Sequence, residues 1–273
     1  MKNICKRQFD IFKATIFATY KQWTAYRSHM AVSVLVGPVF FLVQVFIWSA
    51  VYSNRETVSG LTLTQMLTYY GISSVIGYLI YDGSDMDLQN LIRTGGFITF
   101  MLRPFSYIYY ALCQKIGHRL LALWVEFIPI YFLFLFAFKI NLVPANLFWT
   151  LLSVFLSFLL VFLTNFCIGI TGFWLTKTEG LRRAFQVLRD ITAGDLLPLV
   201  LFPVFIQKIL FFMPFQFITY VPIRVFIGSY ELAGISMSIP EIVGLQAIYV
   251  VIMFLVYKVL WHIAIKRFTG VGA

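Results

Sequence analysis

Five runs of predominantly apolar residues, roughly 31–52, 65–81, 120–138, 148–175 and 242–265, decide what this chain can fold into. A helix rises 1.5 Å per residue, so about 20 such residues span the ~30 Å hydrocarbon core of a bilayer. Runs this long predict membrane helices, not the buried strands or helices of a soluble domain. The supply of charge agrees. Only 12% of the 273 residues are charged and 60% are hydrophobic, too little polar surface to solvate a water-soluble fold. Between 181 and 227 the apolar signal continues, but Arg189, Asp190, Asp195, Pro198, Pro203, Pro214 and Pro222 break it. One further crossing is needed there if the ends are to keep consistent sides. The expected fold is therefore an all-α integral membrane protein with six spans. A single transmembrane domain covers 1–273, with residues 1–28 as an interfacial helix and 29–273 as the core.

Lysine and arginine placement sets the orientation. Lys2, Lys6, Arg7, Lys13, Lys21 and Arg27 precede the first run; Arg93, Arg103, Lys115 and Arg119 lie between the second and third. Lys177, Arg182 and Arg183 lie between the fourth and fifth spans, and Lys266 and Arg267 follow the last. These fifteen share one side, whereas the opposite loops hold four: Arg55, Lys139, Lys208 and Arg224. Arg189 and Lys258 lie too close to spans to assign. Both termini are expected in the cytoplasm. The net charge of +10 then reads as a topology signal, with no nucleic-acid partner expected. No secretory signal is visible before the first run. Instead, Cys5, Phe9, Phe12, Ile16, Thr19 and Trp23 recur at spacings of three and four, with Lys6, Lys13 and Lys21 mostly off that stripe. This pattern predicts an amphipathic helix in the cytoplasmic interface, serving as an anchor or as a docking element.

Much familiar chemistry is missing from the sequence. It has no G-x-x-x-x-G-K-[ST] phosphate loop, no H-E-x-x-H, no C-x-x-C and no G-x-S-x-G. No metal and no cofactor is expected on this chain. Cys5, Cys113 and Cys167 show no paired spacing, and His29, His118 and His262 fall near span ends, where packing is the expected role. Glu126 is the one acid well inside a clear run, and an ionisable group in a membrane is a functional candidate. With Asn165 it forms the candidate intramembrane polar site. The competing reading is a carboxyl satisfied by a helix neighbour, with Asn165, Thr164 and Thr171 as helix–helix hydrogen-bonding groups. Pro129 is expected to kink the helix just beyond Glu126.

Two stretches carry a resemblance. The first is "LIRTGG" followed by "FMLRP", residues 91–104. The second is "LPLVLFPVFIQKILFFMPFQFITYVPIRVFIG", residues 197–228. Both resemble the permease subunits of type-2 ATP-binding-cassette exporters, best the drug- or viologen-type branch, where the first stretch usually reads like "IRxGxLDxxLLRP". Ile92, Arg93, Gly95, Phe97, Leu102, Arg103 and Pro104 fit that pattern, whereas Ile98 stands where an acid is common. In this family the first stretch follows a short cytoplasmic helix that docks on the ATPase. The second stretch forms short helices that enter the membrane from outside and turn back, for which Pro198, Pro203, Pro214 and Pro222 are suited. The resemblance also places the weak fifth span from about Leu181, enclosed by protein, so that it tolerates Arg189 and Asp190.

The resemblance implies a membrane-spanning permease subunit forming half of an export pathway in the bacterial cytoplasmic membrane. A separate ATPase subunit dimer would hold ATP and Mg, and a second permease, identical or related, would complete the path. The second and fifth spans would wall it, near Tyr69 and Tyr70. The resemblance makes Asp85 to Arg93 the coupling helix. Asp85 is expected to cap it, Asp87 to sit in its first turn, and Gly95 and Gly96 to end it. Leu88, Leu91 and Ile92 at i, i+3 and i+4 are expected to offer an apolar face to the ATPase, with Arg93 pairing an acid there. Arg103 and Pro104 mark the return to the membrane. An ion-coupled secondary transporter would instead need inverted repeats and paired intramembrane charges. A membrane-embedded lipid enzyme would need clustered His, Asp or Glu.

Overall fold

The computed structural model describes residues 2–25, 27–175 and 177–267, without the side chains of 2–8, 23 and 27–33. Cys5, Trp23 and His29 thus lie outside the described side chains. The helices are α1 (Lys2–Ala25), α2 (Arg27–Val51), α3 (Leu63–Ile80), α4 (Ser84–Arg93), α5 (Phe97–Met101), α6 (Tyr107–Ala122), α7 (Ile128–Phe136), α8 (Leu147–Ile170), α9 (Glu179–Thr192), α10 (Val204–Phe211), α11 (Tyr220–Ile227) and α12 (Ile239–Ile265). Two small antiparallel hairpins cover loop ends. The first pairs β1 (Thr57–Val58) with β2 (Leu61–Thr62), and the second pairs β3 (Tyr230–Leu232) with β4 (Ile235–Met237).

Among the described residues, four stretches are long and apolar enough to cross a membrane: Val34–Asn54, Tyr107–Phe136, Leu147–Phe173 and Ile239–Ile265. They fall on the first, third, fourth and last of the apolar runs, but the third begins at Tyr107, so Lys115 and Arg119, expected in the preceding loop, lie within α6. α3, on the second run, has 18 residues, about 27 Å of helix. It carries Thr, Ser and Tyr because protein surrounds it: Met66, Tyr69, Tyr70, Ile72 and Ile76 are all buried. α9 has 14 residues, about 21 Å, and its charges make it shorter and more polar than a lipid-facing span.

α8 is the central post. Of its most apolar stretch 67% is buried, against 17% for those of the spans containing α2 and α12. Those peripheral helices keep apolar side chains exposed, among them Phe40 and Phe46 on α2 and Val251 and Val259 on α12. In water such faces would be unstable; against lipid tails they cost nothing. α8 binds α12 partly through one buried amide. Ser153 Oγ donates to Gln246 Oε1 at 2.8 Å, while Gln246 Nε2 donates to the Ser153 and Phe217 carbonyls at 3.0 and 2.9 Å. Gln246→Leu strips these partners at once and is expected to cost about 1–3 kcal/mol, read as a lower unfolding temperature in detergent.

Two helix irregularities have local causes. Pro38 lies inside α2 and has no N–H to offer the Val34 carbonyl. Tyr78 of α3 fills the gap: its hydroxyl donates to Val34 O at 3.3 Å and accepts from the Gly37 N–H at 2.7 Å. Gly37 is required, because a Cβ there would meet the Tyr78 ring at 2.6 Å. Further on, Leu123–Phe127 is wound as a π-helix that joins α6 and α7 into one rod. It lies just before Pro129, whose missing donor disrupts the α-pattern over the preceding turn. Glu126 lies in this turn, buried, with the favourable charge of Arg119 near it.

After α9 the chain is broken repeatedly. Gly194 takes φ +85. Pro198 precedes a 3-10 turn at Leu199–Leu201, Pro203 precedes α10, and Pro214 opens the 3-10 turn Pro214–Phe217. Pro222 sits in the first turn of α11, where a missing donor breaks no helical bond. α10 and α11 have eight residues each, about 12 Å, too short to cross. Buried amides satisfy the interrupted backbone. Gln207 Nε2 donates to Val200 and Phe202 carbonyls, Gln207 Oε1 accepts from Ala233 N, and Gln216 Nε2 donates to the Phe211 carbonyl.

Candidate functional site

The loop leaving α3 starts a polar junction. Asp82 is buried and folds over the start of α4, its Oδ2 accepting from Ser84 N at 3.0 Å and Ser84 Oγ at 2.6 Å. Capping by Asp85, expected from the sequence, does not occur. The residue before the helix is Gly83, Asp82 already serves the free donor, and Asp85 lies inside the first turn with 1% of its surface exposed. Its carboxylate turns to α9 instead: Gln186 Nε2 donates to Asp85 Oδ2 at 3.3 Å, and Arg182 Nη1 lies 4.0 Å away.

Asn165 of α8, 1% exposed, carries the junction inward. Its Nδ2 donates to the Asp82 carbonyl at 2.9 Å and Oδ2 at 3.1 Å. Its Oδ1 accepts from Arg189 Nη1 at 2.8 Å. Arg189 also donates through Nε and Nη2 to Asp190 Oδ1 at 3.1 and 3.0 Å. Arg182, Gln186 and Arg189 stand at i, i+4 and i+7, one face of α9, and that whole face addresses the acids and amide of α4 and α8. Asp82 Oδ1 has no hydrogen-bond donor among the described residues. Glu126 has other neighbours, so Asn165 and Glu126 do not act as one polar site by any contact seen here.

α4 lies directly on α8. A Cβ on Gly169 would meet Asp85 Cα at 3.1 Å and Leu88 Cβ at 3.2 Å; one on Gly172 would meet Gln89 Cγ and Ile92 Cδ1 at 3.3 Å. Leu88 and Ile92 are therefore buried within the chain itself. The apolar face expected to meet a partner is already occupied, because the glycines of α8 form the groove for it. The outward face is Met86, Asn90, Arg93 and Thr94, with Leu91 half-buried against Gly96. Asp87, on a flank, pairs with Lys115 of α6 at 2.6 Å. Arg93 donates to Asn90 Oδ1 at 3.4 Å, in solvent.

Gly95 follows α4 with φ +72, and Gly96 leads into α5. Phe97 is buried among the rings of Tyr107, Phe173 and Trp261. Arg103 lays its guanidinium over Phe100 at 4.3 Å, and Pro104 is exposed before α6. α1 packs on α6 through the close approach of Gly117 to Ile16, so Ile16 and Thr19 of the amphipathic stripe face protein, while Phe9 and Phe17 face outward.

The other end of α9 is tied to α3. Tyr69 Oη donates to Gly194 O at 2.6 Å, Tyr70 Oη to Leu196 O at 3.0 Å, and Ser73 Oγ to Asp195 Oδ1 at 2.6 Å. Both tyrosines suggested for a substrate path thus spend their hydroxyls on this turn. Phe185 adds a ring contact to Phe215 at 5.8 Å. The opposite face of α9, Leu181, Ala184, Val187 and Leu188, is exposed. α9 is held by long polar side chains at one end and phenols at the other.

Sequence reasoning missed Asp82, Arg182 and Gln186. Signals existed: Asp82 stands two residues before Ser84, an Asx-turn spacing, and the three polar positions of α9 share a helical face. Burial pushes the Asp85 carboxyl above its ordinary range, against the pull of the Met86 N–H, Arg182 and Arg189. The folded chain therefore holds that proton more tightly than the unfolded chain does. Its stabilising effect is full below about pH 3.9 and is lost as pH rises through the folded value. Asp85→Asn is expected to flatten this part of a plot of unfolding temperature against pH.

No curated protein and no solved structure matches the chain. The sequence profile described as ABC-2 family transporter protein matches residues 39–272. That range takes in α4, α8, α9 and the broken segment, and with four membrane-crossing stretches it describes a multi-pass transport component. The chain belongs to the ABC-2 family of transporter proteins.

Proposed function

We propose that the chain is the membrane-spanning permease subunit of an ATP-driven exporter, forming half of the translocation pathway and coupled to a separate ATPase dimer that holds ATP and Mg. The family implies an ATPase partner. The single observation that carries the coupling is the position of α4. It offers Met86, Asn90 and Arg93 outward, rests on the glycines of α8, and reaches α9 directly through Asp85, with a second link from Asp82 just before it through Asn165 of α8 to Arg189. A push on α4 thereby reaches α9 as a rigid-body movement. The wall of the path is drawn from α3 and α9, and a second permease, identical or related, supplies the other half.

In this reading six helices cross: α3 and the α9 segment join the four apolar stretches, and α10 and α11 enter and turn back. The whole chain forms one transmembrane domain of the drug- or viologen-exporter branch. It sits in the bacterial cytoplasmic membrane with both termini and α4 on the cytoplasmic side, as the arginine and lysine bias favours. The test is co-expression with an ABC ATPase from the same genome. Stoichiometric co-purification, with hydrolysis stimulated by the permease, supports the reading. An ATPase that neither binds nor responds overturns it.

A further inference from the structure

α6, the π-turn and α7 form a rod of 30 residues, about 45 Å of helix against a ~30 Å hydrocarbon core. Its ends must reach the headgroup layers. At its first turns, a cleft of about 300 Å³ opens between α1 and α6. Thr15, Thr19 and Gln22 line it from α1, Tyr110 and Gln114 from α6, and Arg103 from the loop before α6.

Three features of this cleft point to a ligand. Thr15 and Thr19 are 8% and 3% exposed, and the hydroxyl of each is accessible from the cleft, with no hydrogen-bond partner among the described residues. Arg103 has no carboxylate within ion-pair distance among the described residues, and its guanidinium lies over the rings of Phe100 and Phe105, at 4.3 and 6.0 Å. The outer face of α1 beside the cleft alternates ring and cation, with Lys13 over Phe9 at 4.4 Å and Lys21 over Phe17 at 4.6 Å. That alternation suits the boundary between acyl chains and headgroups.

We propose that this cleft binds the headgroup of one anionic phospholipid. Arg103 meets the phosphate diester with its guanidinium edge, and the Thr15 and Thr19 hydroxyls donate to the phosphate oxygens or the glycerol. Gln22, Tyr110 and Gln114 supply the polar rim. The acyl chains leave past the exposed rings of α1. A soluble phosphate would meet the same donors, whereas a lipid also fits the position of the cleft in the headgroup layer.

The experiment uses the purified full chain in mild detergent, without any ATPase, so its outcome is independent of the function proposed above. Native mass spectrometry counts bound phosphatidylglycerol against phosphatidylcholine, with inorganic phosphate as competitor. The wild-type chain is expected to keep one phosphatidylglycerol in preference to phosphatidylcholine and in the presence of phosphate. Arg103→Gln is expected to weaken that binding about tenfold, the size of a charge-assisted hydrogen bond. The Thr15→Val, Thr19→Val pair preserves shape and is expected to weaken it severalfold; it decides the matter if Arg103→Gln does not fold. Wild-type binding in both variants, or equal retention of the two lipids, overturns the proposal. Displacement by inorganic phosphate at matching concentration also overturns it, since the cleft would then serve a free anion.

Discussion

Glutamate at both Met86 and Arg93 is expected to abolish co-purification of the ATPase while leaving the unfolding temperature of the permease unchanged. The two residues stand seven apart on the exposed face of α4, with Asn90 between them. Neither supports the core: Met86 is 46% exposed. A central contact in an interface typically contributes 2 kcal/mol or more, so losing two, with a charge reversal, predicts a drop in affinity of roughly a hundredfold or beyond. Pull-down from co-expressing cells measures it. Unaltered assembly of the double variant would show that α4 does not face the ATPase. Leu88→Glu would be a poor substitute for this test. Leu88 is fully buried against α8, and a carboxylate there would unfold the chain whether or not α4 docks.

Arg189→Gln is expected to give the opposite phenotype, in which the ATPase stays bound but its hydrolysis no longer answers to the permease. Arg189 touches nothing on the exposed face of α4. It joins α9 to Asn165 and, through that amide, to Asp82. Glutamine is too short to hold both Asn165 and Asp190, so α4 would move without carrying α9. Stimulated hydrolysis is expected to fall about tenfold towards the basal rate, and the unfolding temperature to fall by the equivalent of about 1–3 kcal/mol for a charged hydrogen-bonded group removed. Arg189→Lys keeps the charge but loses the forked geometry, and is expected to restore stability more than coupling. Equal loss of stability and of ATPase binding, with normal coupling in what remains, would mark Arg189 as purely structural.

The spans on α2 and α12 could be read from sequence because lipid-facing helices advertise themselves by apolar length alone, and α8, although mostly enclosed by protein, carries an apolar run just as long. α3 was legible by its run, although its solvent is protein, so its Ser and Tyr residues say nothing against membrane depth. α4 was placed almost to the residue by its acids and following glycines. Its facing was not. An apolar stripe shows that a surface is covered, but not by what, and the groove that covers Leu88 and Ile92 is made by Gly169 and Gly172, about 80 residues further along the chain. The same limit hid the role of Asp85: an acid near a helix start looks like a cap until Asp82 is seen to occupy that position. Arg189 and Asp190 read as interruptions of a span, and only the fold shows that Arg189 joins α9 to α8.

The π-turn at Leu123–Phe127 has a consequence for chain length. Such a turn holds one residue more than the α-helix around it needs. Deleting a single residue from this stretch should remove the wide turn and leave α6 and α7 each intact, although Pro129 would still lack its donor, where the same deletion in α8 would rotate half the helix by about 100°. In family members that lack the extra residue, the position of Glu126 would turn away from Arg119, and an acid there would lose its neighbour. The presence of this acid and the length of this helix should therefore vary together across related chains.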